Sequence, residues 1–144
     1  MTRLSIVVPV YNERYLVEAC LERVVAVTVP GIDEIELVVV DDGSTDGTGE
    51  VLDRLAARWP ERLRLLRQPN GGKGAALQTG IAAATGDFIV FQDADLEYDP
   101  RDLPALVAPL LEDAADAVYG SRFLVAGRRR VLSHRHTAGN RLLT

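Results

Sequence analysis

Apolar positions in this chain come as short unbroken runs separated by stretches with helical spacing. "LSIVVPV" (4–10) is apolar and β-branched without alternation, the pattern of a strand covered on both faces. "IELVVVDD" (35–42), "LRLLRQ" (63–68) and "DFIVFQDAD" (87–95) repeat it, and "DAVYGSRF" (116–123) gives a fifth expected strand. Between the first two runs, Leu16, Ala19, Cys20, Arg23, Val24 and Val27 fall at helical spacing. A second helix is expected from about 47 to 59, with Val51, Leu52, Leu55, Ala56 and Trp59 on one face. Ser44, Thr45 and Asp46 before it are all able to cap its start. The loop "PNGGKG" opens a third, Ala-rich helix with Gly86 as its expected C-cap, and "PRDLPALVAPLLED" gives a fourth, with Asp99 as a cap. Strands alternating with helices, each strand nearly all apolar, imply an α/β fold: a mostly parallel sheet with helices on both faces.

The length of 144 residues suits one domain. No apolar run reaches the roughly 18–20 residues that cross a bilayer, and no cleaved leader is expected. The single cysteine, Cys20, excludes an internal disulfide and a Cys-based zinc site; it reads as core packing in an intracellular setting. Charge changes the picture more. Residues 1–116 carry all 21 acids and 10 of the 16 basic residues, a net −11, and residues 117–144 carry six arginines and no acid, a net +6. A basic end on an acidic body suggests an anionic partner, phosphate or a membrane surface, or else a solvated tail that closes on the body. No nucleic-acid partner is expected.

Polar clusters follow the strands repeatedly: "PVYNE", "VDDGS", "DADLE" and "GSRF". In an open α/β sheet these converge on the edge where ligands bind. If "QDADLE" stays extended, Asp93, Asp95 and Glu97 face one way, three hard oxygen ligands suited to Mg²⁺ or Mn²⁺ with positions left for phosphate. Of Asp41 and Asp42, one is expected to tie the turn and the other to accept hydrogen bonds from a base or ribose. Tyr11 offers stacking or packing, and Glu13 an acceptor. "NGGKGAALQTG" lacks the Ser or Thr of a Walker loop, yet Lys73 at a helix start can attract an anion or simply face solvent. Arg122 and Arg135 carry forks that fit phosphate. His134 and His136 are too isolated to be metal ligands.

"VVPVYNE", "VVDDGSTDGT", "NGGKGAALQTG", "QDADLEYDP" and "YGSRF" together resemble the family 2 glycosyltransferases of Rossmann-like GT-A fold. The "DADLEYDP" form with "HRHTAGNRLLT" is similar to the polyprenol-phosphate hexosyltransferase branch, typified by dolichol-phosphate mannose synthase. The resemblance spans about Leu4 to Thr144. It implies a nucleotide-sugar-binding core over 1–123 and a basic loop with the start of an acceptor-side helix over 124–144, the chain being an N-terminal piece of a longer protein. It implies GDP-mannose, then UDP-glucose, as donor, and a polyprenyl phosphate as acceptor. Pro9, Tyr11, Glu13, Val40 and Asp42 would surround base and ribose, and Asp93 and Ala94 would lie near the nucleotide. Asp95 and Glu97 would hold the metal, and Arg122 and Arg135 the phosphates. Relatives often carry Gln at the position of Glu97.

The expected reaction inverts the anomeric carbon. A phosphate acceptor is already anionic and needs no general base; a hydroxyl acceptor would need one, and Asp95 could serve. Two alternatives stand beside it, a family 2 transferase acting on a sugar hydroxyl and a nucleotide-binding module without turnover. A sugar-nucleotide pyrophosphorylase is more distant, since it would carry a Gly-rich signature after the first strand. The expected place is the cytoplasm, peripheral at the membrane face.

Overall fold

A computed structural model of the chain describes residues 1–120. Four strands form one parallel sheet: β1 (Arg3–Val10), β2 (Glu34–Asp41), β3 (Leu63–Arg67) and β4 (Phe88–Phe91), in the order β3-β2-β1-β4. The helices are α1 (Val17–Val25), α2 (Thr48–Arg58), α3 (Lys73–Ala83) and α4 (Leu103–Leu111), the last entered through a short 3-10 turn, Pro100–Asp102. β1 is paired on both sides, from Arg3↔Glu34 to Val10↔Asp41 with β2 and from Leu4↔Phe88 to Val7↔Phe91 with β4. Strands enclosed this way need no polar face, which is why the apolar runs do not alternate.

The two faces of β1 serve different partners. Leu4, Ile6, Val8 and Val10 join Val17, Cys20, Leu21 and Val24 of α1 and Val51, Leu52 and Leu55 of α2 in one core cluster. Leu103 and Val107 of α4 enter the same cluster. Val7 points to the other face, where α3 packs so closely that a β-carbon on Gly80 would collide with Val7 Cγ1. The sheet is therefore covered on both faces, as the sequence pattern implied.

Three local expectations change. α1 begins at Val17, so its buried seam is Val17, Cys20, Leu21 and Val24, while Leu16 is exposed and Arg23 points outward. α3 ends at Ala83, and Gly86 is not its cap. Gly86 instead lies where the chain passes β1, and a β-carbon there would sit 2.6 Å from Ser5 Oγ and 2.9 Å from Arg3 O. Its N–H donates to Ser5 Oγ at 2.8 Å. Of the expected fifth strand, 116–120 is irregular and 121–123 lies outside the described residues. Asp99 does cap, its carboxylate accepting from Arg101 N at 3.0 Å. Asp46 accepts from Thr48 N at 3.0 Å, serving the first turn of α2 from one residue before its cap.

The chain lays down β1, β2 and β3 in one direction, then returns through α3 to place β4 on the far side of β1. The strand order reverses between β1 and β4, which opens a crevice beyond their carboxyl ends.

Gly80→Ala should lower stability by about 1–3 kcal/mol, because the added methyl has no room against a buried strand. Gly74→Ala, with nothing within 4 Å of its β-carbon, should be neutral or stabilising by up to about 1 kcal/mol. Urea denaturation of both variants checks the pair.

Candidate functional site

The crevice is a cavity of about 430 Å³. Pro9, Tyr11 and Glu13 line it from the end of β1, and Asp42 from the end of β2. Asn70, Gly72, Lys73 and Ala76 come from the Gly-rich loop and α3, and Asp93, Ala94 and Asp95 from the loop after β4. Eight of the residues singled out from sequence are thus brought to one place. Val40 is not: it is fully buried on the α3 face, near Gly80. Glu97 is exposed and outside the lining. Arg122 and Arg135 lie outside the described residues. A second cavity of about 390 Å³ lies past Asp41, but Arg67 in its wall is already paired with Asp53 at 2.9 Å.

Both acids at the end of β2 tie the backbone, where only one was expected to. Asp41 Oδ1 accepts from Ser44 N at 3.0 Å, which closes the turn. Asp42 accepts from Gly71 N (2.9 Å) and Gln68 Nε2 (2.7 Å) on one oxygen and from Gly72 N (2.8 Å) on the other. Successive backbone N–H groups of this kind form an anion cradle, and here the protein's own carboxylate fills it. The Gly-rich loop is thus held by Asp42. Gln68 extends the tie to α3, its Oε1 accepting from the Thr79 hydroxyl.

The acid loop after β4 departs from expectation. β4 ends at Phe91 and the chain turns, with Leu96 at φ 64°, so Asp93, Asp95 and Glu97 do not share one face of a strand. Gln92 is the cause. It is buried (2% exposed), its backbone N–H still donates to Val7 O, and its side-chain amide donates to Asp93 O (3.2 Å) and Tyr98 O (3.3 Å), curling the loop onto itself. Asp95 Oδ1 accepts from Glu97 N at 3.0 Å. Sequence reading passed over Gln92; an amide directly after an apolar strand was its signal. It passed over Asn12 as well. Asn12 adopts φ 52°, which Asn tolerates better than most residues. It accepts from Thr45 N at 2.8 Å and donates its own N–H to Ser44 Oγ at 3.0 Å, joining the loops after β1 and β2.

Among the described residues, negative charge dominates the cavity lining. Glu13 titrates above the usual range through burial, and then through the fields of Asp95 and Asp46. Lys73 Nζ sits 2.6 Å from Asp93 Oδ1. Beneath the loop, the Cys20 thiol donates to Asp93 O at 3.4 Å and is pushed up to about 11, chiefly by burial and next by Asp95. It stays protonated and structural, as its core position suggested. Among the described residues no three His, Cys, Asp or Glu groups form a preformed metal cluster. The donors nevertheless suit a hard cation, since Mg²⁺ is usually held by one or two carboxylates plus substrate phosphates, and Asp93 and Asp95 offer such a pair.

Residues 5–143 match the profile of Glycosyl transferase family 2, and the chain belongs to that family. It is 41% identical over 120 residues to a dodecaprenyl-phosphate galacturonate synthase of Rhizobium johnstonii, covering 83% of this chain and 36% of that protein. Among solved structures it is similar to the mannosyltransferase PcManGT of Pyrobaculum calidifontis in complex with GDP-Man and Mn²⁺, with TM-score 0.65 and 38% identity over 74% of this chain and 31% of the other. Glucosyl-3-phosphoglycerate synthase of Mycobacterium tuberculosis, in complex with Mn²⁺, UDP and phosphoglyceric acid, gives TM-score 0.60 and 33% identity over 76% and 39%. The chain spans about a third of the length of these relatives. Its fold is the Rossmann-like GT-A α/β fold of the structural neighbours.

Asp42→Ala should raise the hydrogen-exchange rates of the Gly71 and Gly72 amides by at least about tenfold at neutral pH, as expected for lost bonds to a charged acceptor. The Leu52 and Leu55 amides in α2 should not change. The Gly71 N–H first, and then Gln68 and Gly72, hold the Asp42 carboxyl below its usual range against the opposing effect of burial. Its stabilisation is therefore complete above the ordinary aspartate value, ~3.9, and is lost as pH falls through the lower folded value. Protection at Gly71 and Gly72 measured in acid should follow that course in the wild type and be flat in Asp42→Ala.

Proposed function

We propose that this family 2 domain binds the nucleotide diphosphate of a sugar donor in the cavity at the carboxyl edge, and that the protein transfers a hexose, mannose first and glucose next, to a polyprenyl phosphate with inversion. The observation that carries the reading is the gathering of Pro9, Tyr11, Glu13, Asp42, Lys73, Asp93, Ala94 and Asp95 around one cavity at the switch point of the sheet. The Rhizobium relative, named for a dodecaprenyl phosphate, supports the acceptor class. The Pyrobaculum neighbour, solved with GDP-Man and Mn²⁺, supports the donor class and the cation.

In this reading Tyr11, 49% exposed beside the cavity, stacks on the base, and Glu13 accepts from the ribose. Asp42 contributes by fixing the loop that presents Lys73. Lys73 and the arginines Arg122 and Arg135 counter the phosphate charges. Asp93 and Asp95, with Glu97 on the same loop, would hold Mg²⁺ or Mn²⁺. When bound, the cation offsets the charge growing on the diphosphate leaving group. A phosphate monoester attacks as an anion, so no residue of the cavity has to remove a proton first.

No described helix is long and apolar enough to cross a membrane. The segment 117–144, with six arginines and no acid, has the charge that would attract it to an anionic leaflet. The protein in this reading works peripherally at the cytoplasmic face, where a lipid phosphate acceptor would be met.

Calorimetric titration with GDP, UDP and ADP, each with Mn²⁺ and with EDTA, tests the donor. Mn²⁺-dependent binding of GDP or UDP is expected. Asp95→Asn should weaken it by at least about tenfold, the loss of one charged ligand bond. Binding indifferent to EDTA, or an unchanged Asp95→Asn, would remove the cation from the reading. Sugar transfer from GDP-mannose or UDP-glucose to a polyprenyl phosphate in detergent tests the acceptor; transfer to a glycan hydroxyl instead would replace it.

A further inference from the structure

Among the described residues, Lys73 is the only cationic one lining the cavity, and it is not directed at open space. Its ammonium lies 2.6 Å from Asp93 Oδ1, joining the start of α3 to the loop after β4. The two partners differ in freedom. The Asp93 side chain is 21% exposed, and its carbonyl is held from below by the Cys20 thiol and the Gln92 amide. The Lys73 side chain is 60% exposed on a flexible four-carbon stem. Only its root is fixed, through the bonds from Gly71 and Gly72 to Asp42. The Asp93 backbone is thus anchored and its side chain the less exposed of the two, so the ammonium is the part freer to leave.

We propose that Lys73 acts as an internal stand-in for the divalent cation. Resting on the donor-site reading above, it neutralises Asp93 in the free protein and competes with the metal there. An arriving diphosphate draws the ammonium onto its own oxygens. That leaves Asp93 open to the cation at the moment the phosphate oxygens that complete its coordination are present. Metal alone then binds weakly, because it must displace Lys73. Diphosphate alone also binds weakly, because it meets Glu13, Asp93 and Asp95 once Lys73 has turned away. The two together relieve both costs, and each raises the affinity of the other by the same factor.

One substitution should therefore move two affinities in opposite directions. Lys73→Met keeps most of the stem and removes the charge at an exposed position, so the fold should be retained, with an unchanged thermal melt as the check. Mn²⁺ alone, followed by the loss of the free-ion electron paramagnetic resonance signal, should bind Lys73→Met on the order of fivefold more tightly than wild type, the low end of ordinary coupling between sites. GDP or UDP in EDTA should bind it more weakly. In an Asp93→Asn background the gain in Mn²⁺ affinity should disappear, which assigns the competition to this pair. Arg101→Met removes a charge that pairs with Asp99 outside the cavity, and should leave Mn²⁺ binding unchanged.

Unchanged or weaker Mn²⁺ binding by Lys73→Met overturns the proposal. So does an equal gain in Arg101→Met, which would mark a diffuse charge effect, and so does a gain that survives Asp93→Asn. The donor reading fails separately, if wild type shows no Mn²⁺-dependent binding of any nucleotide; the contest between Lys73 and Mn²⁺ is still scored with the metal alone.

Discussion

The structure depends on β1 being paired along both edges and buried on both faces. Leu4, Ile6, Val7 and Val8 are fully inaccessible to solvent. β2 runs beside the whole of β1, and β4 beside its first half. Parallel pairing brings the carboxyl ends of all these strands to one edge, where the loops have no ladder left to join. Backbone groups leaving a parallel sheet still need partners, and in this chain the loops supply them to one another. Asn12 bonds across to Ser44 and Thr45, Asp42 to Gly71 and Gly72, and Gln92 to Asp93 and Tyr98. The cavity is the space that these crossings leave.

This arrangement explains why so many acids can gather at one edge of a folded domain. Asp41 and Asp42 have lost nearly all contact with water and have backbone N–H groups in its place. Asp46 serves the first turn of α2, with Thr48 as the main cause of its lowered titration. Each of these charges is satisfied by donors built into the chain, so none of them needs an outside cation. Glu13, Asp93 and Asp95 are placed differently. They line open space, and among the described residues Lys73 is the cation that lines it with them, paired with Asp93.

The four strands of the sheet, the order of elements and the ligand edge were legible in the sequence, because apolar runs without alternation allow few arrangements; the expected fifth strand was not borne out over 116–120. It also supplied most of the lining of the cavity, through polar residues that follow each strand. Hydrogen bonds between residues distant in sequence were what it could not supply. "DADLE" read as a straight strand because nothing local forbids it. The bend depends on Gln92 reaching Tyr98 O, and on Leu96 taking a positive φ that its own type disfavours. Alternation along a strand points Asp41 and Asp42 apart, which predicts one structural acid and one binding acid. The second tie appears only when the Gly-rich loop, about thirty residues further along, comes back to Asp42. Gly86 read as a helix cap on its spacing, whereas the close passage of β1 is what requires it.

Those differences give a physical criterion for separating structural acids from acids held in reserve. A backbone N–H is fixed by the fold, so a carboxylate bound to it can change partner only if the loop opens. A lysine side chain can be exchanged without moving the backbone, and an exposed ion pair is worth at most about 1 kcal/mol. Asp42 belongs to the first kind: its three donors include two backbone amides, and its titration is lowered by them. Asp93 belongs to the second. Its backbone is anchored, its side chain is only partly exposed, and its ion-pair partner among the described residues is one ammonium on an exposed, flexible stem. The same cavity therefore holds one acid committed to shaping the loop and another whose partner can be replaced, and a ligand carrying both phosphate and metal offers a replacement for each half of that pair.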